Sequence, residues 1–297
     1  MAKKQVLGTF AAFLSNFIFG LSFMFTKTAL NVAHPFIILA VRFTIAFLFM
    51  SILLLFRIIR VNYRGKNLFG LLFMALSQPL CYFLFEVFGI KYTTSALSGI
   101  IISLIPVVVI LLSSVVLHEK PTVMQIICSI VSLFGVAAIS LVSKNTGKNF
   151  LGGILLLIGA VICASGFNLL SRRQSAAFTA TERTYFMFLV AAAGFNIISL
   201  FRFGTGYVNI AFSALHNADF LIGVLFLGIV SSCFSFWLYN YSTGQISVIR
   251  SAAFANISTV VSVLAGVFIL KEPVSPLQFI LCIPIIAGVF GVNYYAK

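Results

Sequence analysis

The sequence predicts an all-α membrane protein of ten transmembrane helices, built as two inverted five-helix repeats. Three observations lead there. Apolar residues make up 61% of the 297 and charged residues only 8%, far below the roughly 25% of a soluble domain. The apolar residues fall in runs close to the ~20 residues that one helical span requires. The second half of the chain also echoes the first. So little charge cannot cover a water-exposed surface, and so much apolar content excludes a disordered chain.

Apolar runs between polar or Pro/Gly breaks place the spans at 6–29, 36–56, 67–89, 94–117, 123–142, 150–171, 184–201, 219–241, 246–270 and 275–295. Helix is the assignment because a lone helix satisfies its own backbone in lipid. Span 1 follows Met-Ala-Lys-Lys, as a signal peptide would. Its run continues to Ala29, too long for an h-region, and no small-x-small cleavage site follows. Span 2 opens at His34-Pro35. Spans 5 and 10 open on Thr122-Val-Met-Gln125 and Ser275-Pro-Leu-Gln278. Both read as capping boxes, with Pro276 at the first helical position. Glu119 and Glu272 stand just ahead, where a carboxylate favours a helix N-terminus. Pro79, Pro106 and Pro284 fall inside spans and can bend them. Ser95, Gly99 and Ser103 form a small-residue ridge on span 4, which lets a neighbouring helix approach closely.

The net charge is +14. On a soluble protein that would point to nucleic acid. Here basic loops held on the cytoplasmic side explain it. With the N-terminus inside, the inner loops hold more Lys and Arg than the outer ones, so both termini are expected in the cytoplasm. Cys81, Cys128, Cys163, Cys233 and Cys282 all lie in apolar runs. Their number is odd and no C-x-x-C pair occurs, so neither a disulfide framework nor a zinc site is expected.

The repeat is the most informative feature. Shifted by 153 residues, Gly70 falls on Gly223, Glu119 on Glu272, Gln125 on Gln278 and Gly135 on Gly288. Phe73/Phe226, Phe83/Phe236, Leu117/Leu270 and Val136/Val289 match without a gap. Residues 1–148 and 149–297 are the two expected units, each with five spans. An odd number of spans makes the second unit enter the membrane from the opposite side. That inversion is a signature of many secondary transporters.

Several short motifs then stand in order. They are Phe19-Gly20-Leu21-Ser22-Phe23 with Lys27 in span 1, His34-Pro35 with Arg42-Phe43 in span 2, and Pro106 with Glu119 around the end of span 4. Asn256 and Glu272 are partial counterparts in the second half. Together they resemble the ten-helix, EamA-type members of the drug/metabolite transporter superfamily, over essentially the whole chain. Phe19 stands where that family usually has Trp, and Thr259 replaces its second proline. The resemblance implies secondary export or exchange of small metabolites, amino acids foremost, through a cavity between the repeats. A bacterial cytoplasmic membrane is the location it implies. A drug or nucleoside-type solute is the alternative cargo. A non-transporting membrane sensor or scaffold is the alternative of another class.

Ionisable groups inside spans are costly and often functional. Lys27, Arg42 and Glu86 fall near the outer ends of spans 1, 2 and 3, placed to share one cluster. In the functional reading Lys27 or Arg42 holds a substrate anion, or Glu86 carries a proton. In the structural reading the cluster locks the first repeat or forms an outer gate. Arg42, Glu119, Arg250 and Glu272 are assigned to gating or structure. The expected substrate contacts are Asn16, Gly20, Phe23, Lys27, Gln78, Tyr82, Glu86, Ser103, Asn168, Trp237, Tyr239 and Asn256. Any single polar residue here is more often an interhelical hydrogen bond; the bias toward spans 1, 3, 6, 8 and 9 argues for a cavity. Spans 5 and 10 are nearly apolar in their middles and are expected to face lipid or pack.

No paired aspartates, nucleophile–base set, metal-ligand cluster or Walker loop occurs. An enzyme, a cofactor and ATP-driven transport through this chain are therefore not expected. The implied partners are a small-molecule substrate and membrane lipids, not nucleic acid; the oligomeric state stays open, a monomer being compatible.

Overall fold

The computed structural model describes residues 2–92, 101–102, 104–118, 121–142, 151–269 and 276–295. Ten helices carry the fold. They are α1 (Ala2–Leu30), α2 (Pro35–Leu55), α3 (residues 69–92), α4 (Ile105–Val116), α5 (Val123–Val142), α6 (Leu151–Gln174), α7 (Ala180–Phe203), α8 (Ala218–Gln245), α9 (residues 248–268) and α10 (Pro276–Tyr294). Six are long and apolar enough to cross a membrane, and four shorter apolar helices accompany them. The chain is a multi-pass, all-α membrane protein of two repeats. The face where α1 begins and α10 ends is the terminal face; the opposite one is the far face.

Local chemistry sets the helix starts. His34 caps α2 by accepting the Phe36 amide on Nδ1 at 3.3 Å, and Pro35 is already bent for the first turn. Thr122 and Gln125 form the expected capping box at α5, with bonds of 3.0 and 3.2 Å. One box was overlooked. Thr179 and Glu182 bond reciprocally at 2.8 and 3.2 Å, so α7 begins at Ala180 rather than at 184. A further helix, Tyr207–Leu215, lies between α7 and α8 where a loop was expected.

The helix contacts obey the repeat. When α1–α5 correspond to α6–α10, the most extensive packing pairs have mates. Thus α1 packs on α8 as α6 does on α3, α1 on α9 as α6 on α4, and α2 on α8 as α7 on α3. The pairs α2–α7 and α5–α10 map onto themselves. Phe43 and Phe188 follow their N-caps by the same number of residues, and their rings stand 6.0 Å apart. Ser132 donates to the carbonyl of Ile285, its own counterpart, at 3.4 Å. A residue that touches its own counterpart lies on the two-fold axis, so the axis passes through both crossings. Because α2 and α7 start from opposite faces, that axis lies in the membrane plane.

The α5–α10 crossing is unusually close. A Cβ on Gly135 would meet the Leu281 carbonyl at 3.2 Å, and one on Gly288 the Cys128 carbonyl at 2.5 Å. Lipid is as apolar as leucine, so close approach and hydrogen bonds, not apolar burial, hold such helices together. The outer sides of this pair expose Val123, Phe134, Ile283 and Phe290, as expected for lipid-facing spans.

Two helices widen at matched places, and α3 is broken there. Leu76–Cys81 in α3 and Phe226–Phe234 in α8 form wide π-type turns, and they overlap under the 153-residue shift. Pro79 lacks the amide that a regular turn needs, and Gln78 is extended (φ −149°, ψ 127°). Ser95, Gly99, Ser103, Glu119, Lys144, Glu272 and the 148/149 boundary lie outside the described residues, as do the side chains of Phe23, Lys27 and Gln278.

Candidate functional site

The matched wide turns deliver polar groups to one place. Ser231 and Ser232 sit in the wide turns of α8. Arg42 reaches them from α2, with Nε donating to Ser232 Oγ at 2.9 Å and Nη2 to Ser231 Oγ at 3.2 Å. Its guanidinium lies 4.9 Å from the Phe83 ring centroid and 5.3 Å from that of Phe43, a favourable cation–π geometry. Tyr82, just past the α3 break, donates to Glu86 Oε1 at 2.7 Å. Arg42 and Glu86 are 4% and 8% exposed, and close enough for their charges to interact. Among the described residues no ion pair joins them; the contact of that kind is Lys66–Glu182. Arg42 and Glu86 each lie ~10 Å from the far-face end of their helix. The cluster therefore spans the repeat boundary, from α2 and α3 of the first repeat to α8 of the second.

The other predicted residues are dispersed. Asn16 turns back on its own helix, donating to the Ala12 carbonyl at 2.8 Å. Gly20 lies at the crossing of α1 with α9, where an added Cβ would sit 2.6 Å from Val261 and 2.7 Å from the Ser258 carbonyl. Asn168 accepts from the Tyr239 hydroxyl, and Tyr239 stacks on Phe167 with centroids 6.0 Å apart. Asn256 donates to Ser132 at 2.9 Å, joining α9 to the α5–α10 crossing. Gln78 lies half-buried in the α3 break. Trp237 is 37% exposed, donates to Thr181 Oγ1 at 3.0 Å and stacks on Tyr241, which puts it on the perimeter. Arg250 ties three helices at the terminal face, through Asn293 at 3.3 Å and Thr9 at 3.5 Å.

Two grooves of about 200 Å³ flank α1. One runs between α1 and α9 along Phe17, Leu21, Val261 and Leu264. The other lies toward the far face, between Met24, Thr28, Asp219 and Ile269. Their walls do not include Arg42, Tyr82 or Glu86.

The terminal face holds a second polar assembly. Glu182 accepts from the Asn62 amide at 2.9 Å and from Lys66 Nζ at 2.9 and 3.0 Å, while its carbonyl takes the Tyr63 hydroxyl at 2.8 Å. The α2–α3 loop is thereby bound to the start of α7. Burial and the neighbouring Glu182 carboxylate push the Tyr63 hydroxyl above its ordinary range. Close by, Arg183 is 2% exposed. It donates to the Ser171 carbonyl at 2.5 Å, to Ser171 Oγ at 2.7 Å, to Thr243 Oγ1 at 3.1 Å and to the Asn240 carbonyl. Those carbonyls belong to the C-terminal ends of α6 and α8, where a cation meets the negative ends of two helix dipoles.

Arg183, Glu182, Ser231 and Ser232 carry much of this geometry, and none is among the substrate contacts expected from the sequence. The Thr-x-x-Glu spacing at 179–182 was a readable signal. Nothing local marks Arg183 as buried, because its partners come from two other helices.

An inverted-repeat helical bundle with one broken helix and buried charge across the repeat boundary is the architecture of a membrane transporter. The model of the EamA-like transporter family matches residues 6–141 and 151–294. The chain belongs to that family. It is 34% identical to the uncharacterized transporter YcxC of Bacillus subtilis (strain 168), over 99% of this chain and 95% of that one. An uncharacterized transporter of Archaeoglobus fulgidus is 27% identical over 86% of this chain and 87% of its own. A solved crystal structure superposes with a TM-score of 0.81, covering 97% of both chains at 18% identity, a likeness of fold.

Proposed function

We propose that the protein is a secondary active exporter or exchanger of small metabolites, amino acids foremost, working by alternating access in a bacterial cytoplasmic membrane. Both termini are cytoplasmic in this reading, so the far face is the outer one. Residues 1–148 and 149–297 rock against each other about the in-plane axis. The single observation that carries the reading is the cluster of Arg42, Tyr82 and Glu86, closed by serines from the opposite repeat. Buried charge inside a span is expensive, and its default meaning is a pathway or binding role. Here it stands on the repeat boundary, which is where alternating access requires a site. Arg42 is the natural partner for a substrate carboxylate, because its planar fork matches one. Motion that separates α2 from α8 would free that fork from Ser231 and Ser232. Transporter names on relatives that span nearly the whole chain support the reading.

The experiment is counterflow in proteoliposomes, with labelled amino acids and nucleosides tested in parallel. Amino-acid counterflow above that of protein-free vesicles is expected. Flux of nucleosides alone would replace the cargo. Folded protein with no flux of any solute would replace the whole reading with a sensor or scaffold.

A further inference from the structure

The Glu86 carboxylate has a use beyond substrate contact. Among the described acids, Glu182 is neutralised by Lys66 and Asp219 is exposed at the start of α8. Glu86 alone of these three is buried inside a span, and no ion pair reaches it from the described side chains. Its hydrogen-bond partner is neutral, the Tyr82 hydroxyl one turn back on α3. Arg42, the described cation whose charge reaches it, is held off by two serine hydroxyls and two ring faces. Described thiols stand on the helices nearby, while the side chain of Lys27 on α1 lies outside the described residues. Cys233 on α8 donates to the Ala46 carbonyl, while Cys81 and Cys163 lie on α3 and α6. The described part of α4 brings no titratable group, and α7 brings none at this depth.

That arrangement suits a group that changes charge. An ionised carboxylate in low dielectric is costly without a partner, and a bound proton removes the cost. Tyr82 serves both forms without backbone movement, since a phenol both donates to a carboxylate and accepts from a carboxylic acid. The positive field of Arg42 keeps the ionised form within reach. A direct ion pair would have fixed one charge state; the separation leaves two accessible.

We infer that Glu86 carries the coupling proton of the transport cycle. The inference rests on the transport reading above. The carboxylate takes one proton from the far face and releases one proton to the terminal face in each cycle. No bond of the substrate changes.

Proteoliposomes loaded with a pH-sensitive dye test this. Native protein is expected to accumulate its substrate when a pH gradient is imposed and to move protons when substrate is added. Glu86→Gln is expected to lose both, while Glu86→Asp, which keeps the carboxylate, is expected to regain both in part. Thermal unfolding in detergent establishes that each variant is folded. Gradient-driven accumulation that survives Glu86→Gln overturns the inference. So does a folded Glu86→Asp that exchanges substrate without moving protons, or that does neither. Native protein without flux of any solute would instead remove the transport reading beneath it.

Discussion

Ile38 and Arg183 occupy equivalent positions, four residues beyond the N-caps His34 and Thr179. Both are buried. At the far face Ile38 packs into an apolar cluster with Ala29, Ala214, Phe220, Val224 and Leu227. At the terminal face Arg183 binds the ends of α6 and α8 through carbonyls and hydroxyls. Glu182 then adds the α2–α3 loop to the same corner. One corner is held by directional bonds with specified partners. The other is held mainly by apolar packing, with the Ser199 hydroxyl on the Phe36 carbonyl at 3.2 Å as a polar tie beside it. Two repeats of one fold have therefore been given different closures, and the difference distinguishes the two sides of the membrane. Apolar contacts can slide with little penalty, while a guanidinium on several acceptors must break them in order to move.

Exchanging the chemistry of the corners should break this comparison. Ile38→Arg places a guanidinium among apolar side chains and is expected to cost more than about 4 kcal/mol, read as loss of folded protein in detergent. Arg183→Leu takes a charged donor from two helix-end carbonyls and two hydroxyls at once, with an expected loss of about 3 kcal/mol, read from the thermal unfolding midpoint. A loss smaller than that of Ile38→Ala would show that the polar corner is not the firmer one. The N-caps sharpen the contrast. Thr179→Ala should cost about 1 kcal/mol, because it also releases Glu182 from its capping box. His34→Ala should cost less, since its cap bond of 3.3 Å is long.

Much of this was legible in the chain. Span positions follow from the length of apolar runs, because lipid forces each run to close its own backbone bonds. The repeat was legible because Gly135 and Gly288 must both remain small where their helices cross. The Thr122–Gln125 cap was legible because its partners lie three residues apart. The site was legible in part. Arg42 and Glu86 stand out as costly groups and Tyr82 as an expected substrate contact, and the three lie in one cluster. Asn256 and Trp237 were singled out by the same polarity, yet Asn256 bonds to Ser132 on α5 and Trp237 faces the perimeter. Helical spacing locates a stripe on its own helix but not the neighbour it faces. Arg183 does not stand out in the sequence because its acceptors lie on α6 and α8, remote along the chain.

The close crossing of α5 and α10 has a mechanical consequence. Each helix there seats its glycine against the other's backbone, so neither can slip lengthwise without losing both seats at once. Rotation about the contact leaves them nearly undisturbed. Such a joint resists shear and tolerates swivelling, and it lies where a lever with arms reaching both water layers would have its fulcrum.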